Sequence, residues 1–348
     1  MSKTSILIFG ATGYLGGSVL SRLLAHPNKE SFDITAIVRS AEKAKKLEAF
    51  GVKAVVGSLK DAAFVERLSE NADILFSIAD SDDVGVTTAF LAGMKNRHTK
   101  TGDVPILIHI SGTGVLTWDA CTNGLGISDR IWNDDDPDDI EKNIPPTAVH
   151  RNVDLLIVEA DKEGYLKSYI ILPGTIWGIA KNPLVDAGVS NSYSKQLPIL
   201  IQAALARGQA GVVGKGQALW PSINIEEQTG FFIILFDAIL ANPDKVGHGR
   251  DGYYFGENGD YLWYDLSKYI GKALVKRGLS QSDGPTTFTA EELGKYFGAE
   301  WLGNYWGSNS RARSGHSRSL GWQPKLTAQD FFDSVDAEVE AAIKQRKE

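Results

Sequence analysis

Ile6-Leu7-Ile8-Phe9-Gly10-Ala11-Thr12-Gly13-Tyr14-Leu15-Gly16-Gly17 joins a short apolar run to glycines three residues apart. Ser18 to Ala25 then carries Val19, Leu20, Leu23 and Leu24 at helical spacing, so the glycines fall where a buried strand turns into a helix. Gly10 permits a tight turn without a Cβ, Gly13 lets the backbone approach a pyrophosphate, and Gly16 lets the new helix pack closely on the sheet. Phosphates there meet the unpaired N–H groups and positive dipole end of the helix. A glycine-rich corner without ligand has the same three residues; the strand before and the helix after are what point to a dinucleotide.

The stretch from Gly10 to Gly17 resembles the cofactor loop of the short-chain dehydrogenase/reductase superfamily. The likeness is to its extended and atypical branches, which include epimerase-like, dihydroflavonol-reductase-like and NmrA-like proteins. That resemblance implies that Thr12, Tyr14 and Leu15 line the phosphates and ribose beside Gly10 and Gly13. It also implies an α/β fold: a Rossmann doubly wound parallel sheet over residues 1–178, and a smaller C-terminal substrate lobe over most of 179–348, with 219–240 returning to the Rossmann domain.

The 348 residues exceed what one compact lobe usually holds, consistent with that division. A hydrophobic share of 43% and a charged share of 23% are those of an ordinary globular protein. With a formal net charge of −7 and no long basic run, nucleic-acid binding has no electrostatic footprint. Cys121 is the single cysteine, which removes any internal disulfide and argues against a thiolate metal site, so no metal is expected. Residues 1–9 lack the basic start and long apolar core of a signal peptide, and no run reaches the length of a membrane span. The expectation is a cytoplasmic monomer or homodimer that takes a small-molecule substrate and binds neither membrane nor nucleic acid. Lys344-Gln345-Arg346-Lys347-Glu348 reads as a charged helix end.

Phe32 to Val38 reads as the second strand and ends at Arg39, where an NAD-binding chain usually places the carboxylate that holds the ribose 2′-hydroxyl. A guanidinium there suits a 2′-phosphate, so Arg39, backed by Lys43, Lys45 and Lys46, favours NADP(H). The alternative is that these cations solvate a helix start. Ala54 to Gly57 suggests a third strand, followed by Leu59, which the resemblance places against the adenine. Asp73 to Ile78 reads as the fourth, and its C-terminal end sets Ile78, Ala79 and Asp80 near the cofactor ribose. Ile106 to Ile110 is the fifth, ending in Ser111-Gly112-Thr113-Gly114. By resemblance Ser111 lies at the cofactor and Thr113 is the hydroxyl that bonds a substrate oxygen; by its residues alone, Thr113 between two glycines is equally a turn residue. The acidic stretch Asp134-Asp135-Asp136-Pro137-Asp138-Asp139 reads as a solvated loop or a substrate-side lid.

The next helix departs from the family pattern. A member working in the usual way carries Tyr-x-x-x-Lys there, the Lys one turn from the Tyr and lowering its pKa. Here His150 falls at the Tyr position and Asp154 at the Lys position, in a His-Arg-x-Val-Asp wording that looks like a fungal branch of extended reductase-like proteins. An imidazole steadied by a carboxylate one turn on would be a general acid; the plainer alternative is a helix-start His with a surface Asp. Tyr264-Asp265-Leu266-Ser267-Lys268 has the family spacing but lies far downstream, with no dinucleotide strand feeding it, and reads as a chance match.

Ser168 to Leu172 is a sixth strand, and Pro173-Gly174-Thr175 resembles the extended branch's turn over the nicotinamide. Trp177 and Tyr193 are then expected as pocket walls. Three functions follow: an NADP(H)-dependent carbonyl reductase or alcohol dehydrogenase acting on a small, largely apolar metabolite; an NmrA-like NADP-binding regulator without turnover; or a non-redox lyase, cyclase or epimerase that keeps the cofactor fold.

Overall fold

The computed structural model describes residues 3–346; Lys347 and Glu348 of the charged C-terminal run lie outside the described residues. Strands β1 (Thr4–Phe9), β2 (Phe32–Val38), β3 (Lys53–Val56), β4 (Ile74–Ser77) and β5 (Ile106–Ile110) join Lys167–Pro173 and Tyr253–Gly256 in one sheet. Its order is Tyr253–Gly256, Lys167–Pro173, β5, β4, β1, β2, β3, and every pairing is parallel. Parallel sheets are covered on both faces, which is why residues 6–9, 74–76 and 106–108 read as unbroken apolar runs. Ile6 and Ile8 point to one core with Val19, Leu20 and Leu23 of α1 (Tyr14–Leu24) and Phe231, Phe232 and Phe236 of the helix Ile225–Ala241. Leu7 and Phe9 point to the other, with Phe90 and Met94 of the helix Val84–Thr101 and Val153 and Ile157 of the helix Arg151–Lys162.

A third core, built on Trp220, Tyr261, Trp263, Trp306 and Phe331, fills the C-terminal lobe. A small sheet of Thr175–Trp177, Leu219–Asn224 and Asp260–Leu262 leads the chain between the lobes. The return to the Rossmann domain extends beyond the expected 219–240. Besides the helix Ile225–Ala241, it includes Tyr253–Gly256, which pairs with Lys167–Pro173 and closes the sheet edge. Trp322 also packs in the α1-side core, where its ring centroid lies 5.0 Å from that of Phe231.

The acidic stretch is neither a free loop nor a lid. Asp134 is 2% exposed and accepts from the backbone N–H groups of Phe255, His316 and Ser317 and from the Ser317 hydroxyl, although burial still pushes its pKa up. Asp136 caps the helix Pro137–Asn143, Asp138 meets Arg250, and Asp139 meets Arg130. Arginine partners and backbone donors absorb the repulsion that composition suggested. No described helix is long and apolar enough to cross a membrane.

Candidate functional site

The glycine turn has the geometry its spacing implies. Gly10 sits at φ +81°, where a side chain would be strained, and a Cβ there would collide with the Ile78 carbonyl at the end of β4. A Cβ on Gly16 would collide with the Gly10 carbonyl, so these two glycines set the close approach of α1 to the sheet. Gly13 is the N-cap of α1, supplies no side-chain cap, and donates its own N–H to Gly10 O at 2.8 Å. The N–H groups of Tyr14, Leu15 and Gly16 have no acceptor among the described residues, leaving an anion-binding helix end. Thr12 and Leu15 are half-buried, and the Thr12 carbonyl accepts from Asn191 N–H at 3.2 Å. Tyr14 donates its phenol to Gly178 O at 2.6 Å, which ties the turn to the C-terminal lobe.

Arg39 is exposed at the end of β2 and has no ion-pair or hydrogen-bond partner among the described residues. Ser40 caps α2 (Ala41–Glu48) through Lys43 N–H, and the Lys43 side chain is half-buried. Ala79 and Asp80 are exposed beyond β4, whereas Ile78 is 6% exposed and packs in the core. Leu59 is half-buried against the core that holds Phe90 and Met94. The cradle at the glycine turn and the free cation at the end of β2 both fit a dinucleotide.

The corner around His150 corrects the sequence reading. His150 is not on the helix: it is the N-cap residue at φ +66°, a left-handed conformation uncommon for a side chain of its size. Its ring therefore turns away from Asp154. Nδ1 lies 2.7 Å from Asp82 Oδ1 and 3.2 Å from Ser81 Oγ, so the carboxylate that steadies the imidazole comes from the loop after β4. This hydrogen bond holds the Asp82 carboxyl below its ordinary range. Asp82 accepts, which puts a proton on Nδ1 and leaves Nε2 to face the Gly112–Gly114 backbone; a Cβ on Gly112 would lie 3.4 Å from it and one on Gly114 3.2 Å.

Asp154 is wholly buried, accepts from Ser111 Oγ at 3.1 Å through Oδ2, and leaves Oδ1 unpartnered. Burial pushes its pKa up to about 6, against the pull of His150, Ser111 and Arg151. Ser111 is thus a partner of Asp154, 6% exposed, and its hydroxyl is committed there. Thr113 is also wholly buried, and its hydroxyl donates to Pro173 O at 3.2 Å, so it does not face a substrate. Pro173 and Gly174 are buried, and Thr175 shares a 2.8 Å hydrogen bond with the Tyr261 hydroxyl, joining the lobes. Trp177 is no pocket wall: it is 4% exposed and stacks on Phe331, centroids 5.4 Å apart. Tyr193 is half-buried on the segment that runs from Asn191 at the glycine turn toward Lys344. Tyr264 is exposed at the start of the helix Trp263–Lys276 in the C-terminal lobe.

Three residues at this corner were not singled out by the sequence. Asp82 lies between Asp80-Ser81 and Asp83, a run whose composition gives no sign of a partner. His109 on β5 is wholly buried with both ring nitrogens unpartnered, and burial drops its pKa to about 3, so it is neutral. Tyr305, in the short turn Tyr305–Gly307, brings its hydroxyl against Gly114, where a Cβ would collide with it.

A parallel sheet with this glycine turn between its first strand and first helix is a Rossmann fold. Residues 2–96 match the NmrA-like family. The chain is 28% identical over 333 residues to an enzyme named oxidase ucsJ from Acremonium sp., covering 92% of each. A 116-residue stretch, 31% of this chain and 34% of the other, is 28% identical to the 4-hydroxy-2-methyl-3-oxo-4-farnesyl-3,4-dihydroquinoline-1-oxide ketoreductase of Stigmatella aurantiaca. The fold is that of the UDP-glucose 4-epimerase of Thermotoga maritima, at TM-score 0.63 and 13% identity over 99% of this chain and 100% of that one. It is equally that of the Bacillus anthracis dTDP-glucose 4,6-dehydratase solved with NAD, at TM-score 0.63 and 13% identity over 97% of both.

Proposed function

We propose that this protein is an NADP(H)-dependent oxidoreductase of the carbonyl reductase or alcohol dehydrogenase type, acting on a small, largely apolar metabolite in the cytoplasm. The observation that carries the reading is the His150–Asp82 pair, at 2.7 Å, with Nε2 aimed at Gly112–Gly114. Its carboxylate comes from the loop that leaves β4, whose first residues abut the glycine turn. The oxidase and ketoreductase names of the relatives support the same class.

In this reading the first-turn N–H groups of α1 and the backbone of Gly10–Gly13 hold the pyrophosphate, and Arg39 with Lys43 holds the 2′-phosphate. The reduced nicotinamide, when bound, supplies a hydride. Asp82 keeps the proton on Nδ1, so that Nε2 of His150 gives or takes the proton that accompanies reduction or oxidation. A regulator that binds NADP without turnover is the second reading. It is favoured by the buried Asp154, which stands where a ribose-holding Lys would be, and by the NmrA-like match.

Loss of NADPH absorbance against a panel of aldehydes and ketones separates the two. Titration calorimetry tests the cofactor: NADP(H) should bind at least tenfold tighter than NAD(H), about 1.4 kcal/mol, and Arg39→Ala should erase the difference. Equal affinities in the wild type would remove the argument from Arg39.

A further inference from the structure

Four observations meet at Gly114. A Cβ on this residue would collide with the Tyr305 hydroxyl and would lie 3.2 Å from His150 Nε2, so a phenol and an imidazole flank one point that only glycine leaves open. The Tyr305 hydroxyl has no hydrogen-bond partner among the described residues, and no hydrogen bond joins it to His150. Its position is fixed from behind: the ring edge packs on Trp220 at 5.2 Å, Ser308 Oγ donates to the Tyr305 carbonyl at 2.6 Å, and Gly124 N–H donates to Gly307 O at 2.8 Å. Ser310 Oγ donates to the Thr113 carbonyl at 2.7 Å, binding this strip of the C-terminal lobe to the turn after β5.

We infer that Tyr305, delivered by the C-terminal lobe, is the proton donor to the substrate oxygen, and that His150 is the group that recharges it. The inference rests on the oxidoreductase reading. In the reducing direction the carbonyl carbon gains a hydride from a reduced nicotinamide and the C=O π pair moves onto oxygen. That oxygen takes the phenolic proton of Tyr305, and the phenolate takes the Nε2 proton of the His150 imidazolium. Water returns a proton to Nε2 while Asp82 holds Nδ1–H. Burial, aided by the Asp82 charge, pushes the Tyr305 pKa up, which keeps the free phenol protonated and ready to donate. The two donors also form a grip for an oxyanion: the oxygen that accepts from Tyr305 sits beside Nε2.

The test uses the full-length protein and Tyr305→Phe, with 4-nitrobenzaldehyde as substrate and 4-nitrophenol as an oxyanion probe whose absorbance reports its ionisation. Tyr305→Phe should lower kcat by a factor of about 10² to 10⁴ while leaving NADPH affinity, read by fluorescence, within about threefold. In the NADP⁺-saturated protein the wild type should bind 4-nitrophenolate, and the variant should bind it at least tenfold more weakly. Retained NADPH binding shows that the variant is folded. Turnover within threefold of wild type in Tyr305→Phe would overturn the inference, as would equal binding of the phenolate or none to the wild type. A wild type that binds the phenolate through Tyr305 yet reduces no aldehyde or ketone would sink the oxidoreductase reading alone and uphold the Tyr305 grip.

Discussion

The backbone of His150 decides which carboxylate its ring meets. At φ +66° it stands outside the helix whose first turn holds Asp154, and the i, i+4 logic that would pair the two side chains does not apply. A left-handed non-glycine residue costs about 1–3 kcal/mol, and the ring it aims is held by Asp82 and Ser81. The carboxylates then have separate duties. Asp82 stays ionised with its side chain more than half exposed, while Asp154, its pKa pushed up to about 6, is sealed beneath Ser111. His150→Phe should lower turnover by about 10² to 10⁴ with NADP binding nearly intact. Asp82→Asn should lower turnover by about tenfold or more, because Nδ1–H loses the carboxylate that fixes the tautomer. Asp154→Asn should leave turnover within about threefold. Turnover lost in Asp154→Asn and kept in Asp82→Asn would restore the pairing the sequence suggested.

At the scale of elements, the strand-to-helix unit was legible and the corner was not. Phe32–Val38 and Ile106–Ile110 run over the residues expected of them, because Phe, Ile, Ala, Val and Leu outnumber the polar Asp33, Thr35 and His109 in the two strands. The glycine turn was equally plain, since its spacing is a steric requirement: Gly10 must clear the Ile78 carbonyl, and Gly16 must clear Gly10. Gly10→Ala places a Cβ at φ +81° against that carbonyl, and should destabilise the fold by roughly 2–4 kcal/mol and weaken dinucleotide binding. A urea midpoint close to wild type would mean that the β4 end yields. The corner depends instead on contacts between distant segments. Asp82 reaches His150 from the end of β4, and Tyr305 reaches Gly114 from another lobe. No periodicity encodes such meetings. The positive φ of His150 has no glycine to announce it, and Thr113 and Trp177 look like site residues in sequence because burial is invisible there.

Across the whole molecule, the two lobes are pinned beside the glycine turn by a carboxyl group. Glu338, on the helix Ala328–Gln345, is 2% exposed and accepts from Gly178 N–H at 3.0 Å, while Gly178 O takes the Tyr14 phenol. Its second oxygen has no partner, and Trp177 Nε1 is likewise unpartnered. Burial raises the Glu338 pKa from 4.5 to about 7, with only the Gly178 hydrogen bond opposing it. The folded protein therefore binds this proton more tightly than the unfolded chain. Its contribution to stability is complete below about pH 4.5 and is lost as pH rises through about 7. A shift of this size corresponds to about 3 kcal/mol at full ionisation. Because Gln cannot ionise, Glu338→Gln should melt at a higher temperature than wild type at pH 8, and the gap should close as the pH falls to 4.5. The same ionisation strains the joint that holds Tyr14, so dinucleotide affinity in the wild type should fall between pH 6 and 8 by more than in Glu338→Gln. Melting curves for both proteins across that range decide it: a gap independent of pH would mean that Glu338 is already ionised within the fold and that the joint tolerates its charge.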